Sequence, residues 1–237
     1  MKGLPSRPNP RLGVWRLPEG MARPNLWYQF CRMAYGVLAT SFWRLQVFNR
    51  HYEPTTGSVL YLSNHQSFLD PAIMSLALKR PMHFMARASL FRFPIFKQWI
   101  TSVNAFPVRR GAADTGAMKE ALRRLKRGEQ LVVFPEGTRT RDGRVGPFLP
   151  GVALLARRAA EWVVPVLIEG AFDIWPRTRP LPPLGNAVVI YCQPLSRADR
   201  RDSTDQQVLA LSRQRIIAMQ AHIRRRRGLP ALTYADG

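Results

Sequence analysis

Apolar and polar positions change period several times along these 237 residues, and each change predicts an element. The first periodic segment covers 25–48 and holds Trp27, Tyr28, Phe30, Tyr35, Phe42, Trp43 and Phe48. Its longest charge-free run, 33–43, is bounded by Arg32 and Arg44. A membrane-spanning helix needs roughly 20 apolar residues, so this run is short for a crossing. Aromatics with arginine at both ends suit a helix lying among lipid headgroups. A helix packed on the domain fits the same pattern. Short apolar runs then alternate with helical ones. Strands are predicted at 58–63, 82–86, 106–108, 130–134, 162–168 and 186–192, and helices at 71–79, 114–127 and 151–160. In 114–127, Met118, Ala121, Leu122 and Leu125 recur at helical spacing, and Gly128 stands where the helix should stop. The proline-rich stretch 172–185 reads as a loop. A last helix is predicted over 203–227, with Leu209, Ser212, Ile216, Met219 and Ile223 as a stripe, and Arg213, Arg215 and Arg224 to Arg227 on the remaining surface. Such a helix either binds a membrane surface or packs on the domain with its charges solvated. The alternation predicts an α/β fold, a mixed, largely parallel sheet flanked by helices.

Charge narrows the partners. Lys and Arg total 36 against 15 Asp and Glu, a formal charge of +21, so the surface seeks a polyanion, either an anionic membrane or a nucleic acid. No recognised nucleic-acid motif accompanies it. Residues 1–24, with Pro5, Pro8, Pro10, Pro18 and Pro24 among scattered arginines, read as a basic, disordered arm without the apolar core of a secretory signal. A helical segment at 25–50, one α/β domain at 51–228 and a tail at 229–237 complete the predicted organisation. Cys31 and Cys192 are too few for a disulfide framework or a cysteine zinc site, and His51, His83 and His222 lack ligand spacing, so no metal site is predicted.

Two stretches carry candidate chemistry. Asn64-His65-Gln66-Ser67-Phe68-Leu69-Asp70 places a histidine just past a predicted strand, where sites gather in parallel sheets. A neutral imidazole can take a proton from an alcohol, and does so better when a carboxylate fixes its tautomer. On a regular helix the His65 and Asp70 side chains would point roughly 140° apart, so their contact requires a turn. Asp70 followed by Pro71 also reads as a helix cap. Phe134-Pro135-Glu136-Gly137-Thr138-Arg139-Thr140 ends a buried strand. Gly137 permits close backbone approach to a ligand, and Arg139 can bind phosphate bidentately. A surface turn with a solvated Glu–Arg pair fits the same letters. Between them, Arg109 and Arg110 follow an apolar strand end as a further phosphate contact or a solvated pair.

Together these stretches resemble the glycerolipid acyltransferases, and most closely the 1-acyl-glycerol-3-phosphate (lysophosphatidic acid) acyltransferases. Four family blocks appear in order: 64–70, 104–110, 134–139 and 164–166. Block two departs at Asn104, where the family usually has glycine. The resemblance implies His65 as general base and Asp70 as its orienting carboxylate, with Arg110, Glu136, Gly137, Thr138 and Arg139 around the acceptor's glycerol phosphate. It implies no cofactor, with acyl-CoA or acyl-carrier protein as co-substrate, and a lysophospholipid as acceptor. It also implies an enzyme seated by 25–48 on an anionic membrane surface, at the cytoplasmic face of the inner membrane, with no nucleic-acid partner. Glycerol-3-phosphate, a lyso-ornithine lipid or another lysophospholipid remain alternative acceptors.

Overall fold

The computed structural model describes residues 26–109 and 114–234. The predicted arm and Arg110 lie outside them. Among the described residues eight strands form one sheet in the order β1-β7-β6-β2-β5-β3-β4, with β8 also pairing β6. Its centre is β2 (Val59–Ser63), parallel to both β5 (Gln130–Val133) and β6 (Trp162–Glu169). All five β2 residues are buried, as an uninterrupted apolar run in a parallel sheet requires. Beyond β5 lie β3 (Met82–Arg87) and β4 (Ala105–Val108), both parallel to the rest. On the other side β7 (Val188–Tyr191) and β8 (Leu195–Ser196) run antiparallel to β6, while β1 (Gln46–Phe48) is parallel to β7. The largely parallel α/β sheet is therefore present, with antiparallel pairs confined to one side.

Helices cover both faces. Tyr61, Val164 and Val189 look into one layer, which α2 (Asp70–Ala77) fills with Ile73, Met74 and Ala77. Above α2 lies α1 (Leu26–Trp43), held by Tyr35 and Trp43 in the same cluster and by Arg32 donating to Leu78 O at 2.6 Å. The opposite layer takes Leu60, Leu62, Leu131 and Val163 against α4 (Thr115–Lys126), α5 (Ala153–Arg158) and α7 (Asp205–Arg226). Asp114 caps α4 by accepting from Ala117 N at 3.0 Å, and Gly128 follows it with φ +76°.

Four elements differ from the sequence reading, one of them the unpredicted two-residue strand β8. The segment 25–48 is not one helix: it leaves α1 at Trp43, Arg44 takes φ +39°, and 46–48 become an edge strand. A three-residue run such as Gln-Val-Phe carries too little period to separate from a preceding amphipathic pattern. A helix, α3 (Pro94–Ser102), stands where none was predicted. The loop at 172–185 begins inside a one-turn helix, α6 (Ala171–Ile174).

Candidate active site

Because β2 and β5 are parallel and in register, with Leu62 opposite Val133, the turns leaving them emerge side by side at one edge. His65 lies two residues beyond β2, and Glu136 three beyond β5. Asn64 anchors the first turn to β6: its side-chain amide donates to Ile168 O and accepts from Ile168 N, both at 2.8 Å. The chain then turns back on itself, so the 140° separation of a regular helix does not apply. Asp70 Oδ2 lies 2.7 Å from His65 Nδ1 and also accepts from Gln66 N at 2.6 Å and Ser67 N at 2.7 Å. Asp70 is fully buried, and His65 nearly so. The capping alternative fails on geometry. Asp70 is the first residue of α2, Leu69 occupies the cap position without a side-chain bond, and the carboxylate reaches upstream into the turn. With Nδ1 held by the carboxylate, Nε2 is the basic nitrogen. The ring stacks on Phe134, centroids 4.3 Å apart and planes 21° apart.

The second loop is stitched to the first. Glu136 Oε1 accepts from His65 N at 2.9 Å, and Thr140 N donates to His65 O at 2.8 Å. Both backbone groups of the histidine are thus fixed by the loop after β5. Burial pushes the Glu136 carboxyl up to about 7, with the Asp70 charge adding and amide donation from His65 and Gly146 opposing. Gly137 takes φ +66°, which favours glycine, and a Cβ there would push the exposed Leu149 side chain aside. Thr138 is exposed at the tip. Arg139 lies over the Phe68 ring, its guanidinium carbon 3.4 Å from the centroid, which brings the two loops together at the surface.

Asn104 takes φ +70°. Only glycine adopts that conformation freely, and asparagine is among the residues that tolerate it. The departure in block two therefore preserves the backbone turn.

The sequence reading missed a buried polar network behind the turn. Glu169, at the end of β6, is 1% exposed. It accepts from Gln66 Nε2 at 3.1 Å, Gln220 Nε2 at 2.7 Å and Arg224 Nη1 at 2.5 Å. Gln66 Oε1 in turn accepts from Phe172 N at 3.2 Å. A glutamate closing an eight-residue strand whose last seven residues are buried was the available signal, since a fully buried carboxylate demands partners.

The acyltransferase family model, described as Acyltransferase, matches residues 44–169. A chloroplastic 1-acyl-sn-glycerol-3-phosphate acyltransferase, LPAT1, of Arabidopsis thaliana is 30% identical over 164 residues, covering 67% of this chain and 46% of that protein. The 1-acyl-sn-glycerol-3-phosphate acyltransferase of Bacillus subtilis (strain 168) is 26% identical over 173 residues, covering 73% and 84%. The chain spans only about half the length of the chloroplastic relative. In fold, it superposes on the 1-acyl-sn-glycerophosphate (LPA) acyltransferase PlsC of Thermotoga maritima with a TM-score of 0.72 at 22% identity, over 88% of this chain and 81% of that one.

Proposed function

The chain belongs to the acyltransferase family, and we propose that it transfers a fatty acyl group from acyl-CoA or acyl-carrier protein to the sn-2 hydroxyl of lysophosphatidic acid, giving phosphatidic acid. The observation that carries this reading is the buried His65–Asp70 pair, 2.7 Å apart, in a turn locked by the neighbouring loop. His65 Nε2 takes the hydroxyl proton as the alkoxide attacks the thioester carbonyl. The C–O bond forms, the tetrahedral intermediate collapses, and the thiolate leaves and is reprotonated. Asp70 stabilises the imidazolium that exists in between. No acyl-enzyme is invoked: Ser67 Oγ, the hydroxyl between His65 and Asp70 in the chain, donates to Trp175 O at 2.9 Å.

Arg139 on its Phe68 platform supplies the phosphate contact, with Arg110 as its partner from the sequence reading. Gly137 and Thr138 shape the loop around the acceptor. Glu136 supports the site by holding the His65 amide, so its contribution to the acceptor acts through the position of the base. The acceptor is a membrane lipid, and α1 provides the seat. Among the described residues no helix is long and apolar enough to cross a membrane. An exposed stripe of Leu26, Phe30, Met33 and Val37 recurs at helical spacing opposite the face that carries Tyr28, Arg32, Tyr35 and Ala39.

Labelled long-chain acyl-CoA and lysophosphatidate in detergent micelles test the proposal. The wild-type protein should form phosphatidate, and His65→Ala should lose at least about 10²-fold in turnover. Equal turnover in the two proteins would remove the mechanism.

A further inference from the structure

The helix that the sequence did not announce, α3, buries almost nothing. Of its nine residues only Ile100 is buried. Ile95 is 86% exposed and Trp99 49%, and Phe93, just ahead of the helix, is 67% exposed. Single exposed apolar residues are ordinary, but a contiguous set marks an interaction surface. Ile100 packs on Ala86 and Ala105. Ala86 projects from the same side of β3 as Met82, which belongs to the layer of α2 and α1. So α3 and α1 lie on one side of the sheet. They also touch, because the Trp27 indole N–H donates to Ser102 Oγ at 2.9 Å. The start of α3 follows β3 at the strand end shared with His65 and Glu136.

We propose that α3 is a second membrane-contact element, which together with α1 seats this protein on an anionic bilayer. The proposal rests on the reading above that the acceptor is a membrane lipid. Charge selects the occupant. Arg87, Arg92 and Lys97 are exposed around the apolar set, a pattern of aromatic residues among cations that matches a headgroup region rich in phosphate. A second copy of this chain, itself at +21, would bring like charge to the same face. Two contacts also do what one cannot. A single interfacial helix is free to roll about its axis, whereas a contact off that axis fixes which edge of the sheet meets the lipid.

Flotation with vesicles of phosphatidylglycerol and phosphatidylcholine decides the matter, comparing wild type, the α3 double variant Phe93→Ser/Ile95→Ser and the α1 double variant Phe30→Ser/Met33→Ser. Removing the two α3 side chains should weaken partitioning at least about tenfold. Brominated acyl chains in the vesicles should quench less of the fluorescence when Trp99→Phe removes that indole. Turnover of a short-chain, monomerically dissolved acceptor should match wild type, showing the variant folded. An α3 variant that floats like wild type, with quenching unchanged by Trp99→Phe, overturns the proposal while leaving the membrane reading intact. A wild type that does not float at all overturns the membrane reading itself. Loss of a dimer in the α3 variant with unchanged partitioning would assign the face to a second copy, and likewise overturn the proposal.

Discussion

At the residue scale the site depends on one oxygen. Asp70 Oδ2 takes three donors: the His65 ring nitrogen and the amides of Gln66 and Ser67. The same atom therefore shapes the turn and sets the tautomer. Asp70→Asn separates these roles. An amide oxygen facing the turn still accepts from the backbone, but an amide cannot stabilise the imidazolium as an anion does. The variant should lose roughly 10²–10⁴-fold in kcat with KM for lysophosphatidate changed far less. Steady-state kinetics over a range of acceptor concentrations check it. A loss confined to KM would place Asp70 in acceptor binding instead. The histidine and its partner were legible in the sequence because a His with an Asp five positions on, past a strand, is a local pattern. Glu136 was legible only as a candidate: its letters say nothing of the His65 amide, 71 positions away, that occupies its carboxylate.

At the element scale the last helix resolves an ambiguity that its period left open. Four consecutive arginines read as one cationic cluster, yet a helix sends successive residues about 100° apart. Arg224 turns inward to Glu169 at 2.5 Å and to Pro230 O at 2.9 Å, while Arg225 and Arg226 are exposed. Arg213 on the same helix donates to Gly146 O at 2.9 Å and Val145 O at 3.2 Å, and Gln220 to Gly143 O at 2.9 Å. The helix thus clamps the stretch beyond the Glu136 loop. Breaking a buried ion pair by removing one partner costs about 3–5 kcal/mol, whereas an exposed charge costs little. Arg224→Ala should lower the melting temperature by several degrees, and Arg226→Ala should leave it near wild type. Thermal denaturation of the two variants in parallel is the check, and equal melting temperatures would deny Arg224 its structural role. The elements read correctly from sequence are those with a long period and a local stop, such as α4 with Asp114 and Gly128 at its ends. Those missed fail for physical reasons. The apolar residues of α3 face outward and so show no core-facing stripe, β8 has two residues, and β1 merges with the helical pattern before it.

At the scale of the whole molecule two titratable groups, His83 buried and Glu136 partly buried, pull stability in opposite directions with pH. Burial raises Glu136 to about 7, above its ordinary 4.5. The folded state therefore holds that proton more tightly than the unfolded chain, and the associated stability is present below 4.5 and lost as pH rises through 7. His83 behaves the other way. Burial first, then the Arg124 charge, lowers it to about 4 from 6.5. It sits between Arg124 and Glu129, with Nε2 2.9 Å from the Glu129 carboxylate. Its contribution is present above 6.5 and lost as pH falls through 4. Between about 4.5 and 6.5 the slopes oppose, each at up to about 1.4 kcal/mol per pH unit, so this pair adds little net dependence. Single neutral variants should expose what the pair conceals. Relative to wild type, Glu136→Gln should grow more stable with each step from pH 4.5 to 6.5, because only the His83 slope remains. His83→Gln should grow less stable over the same steps. Urea denaturation of the three proteins at pH 4.5, 5.5 and 6.5 measures these differences directly. Parallel stability curves would show that neither group's proton affinity changes on folding. A carboxyl poised near neutrality against the His65 backbone amide would then lose its physical basis.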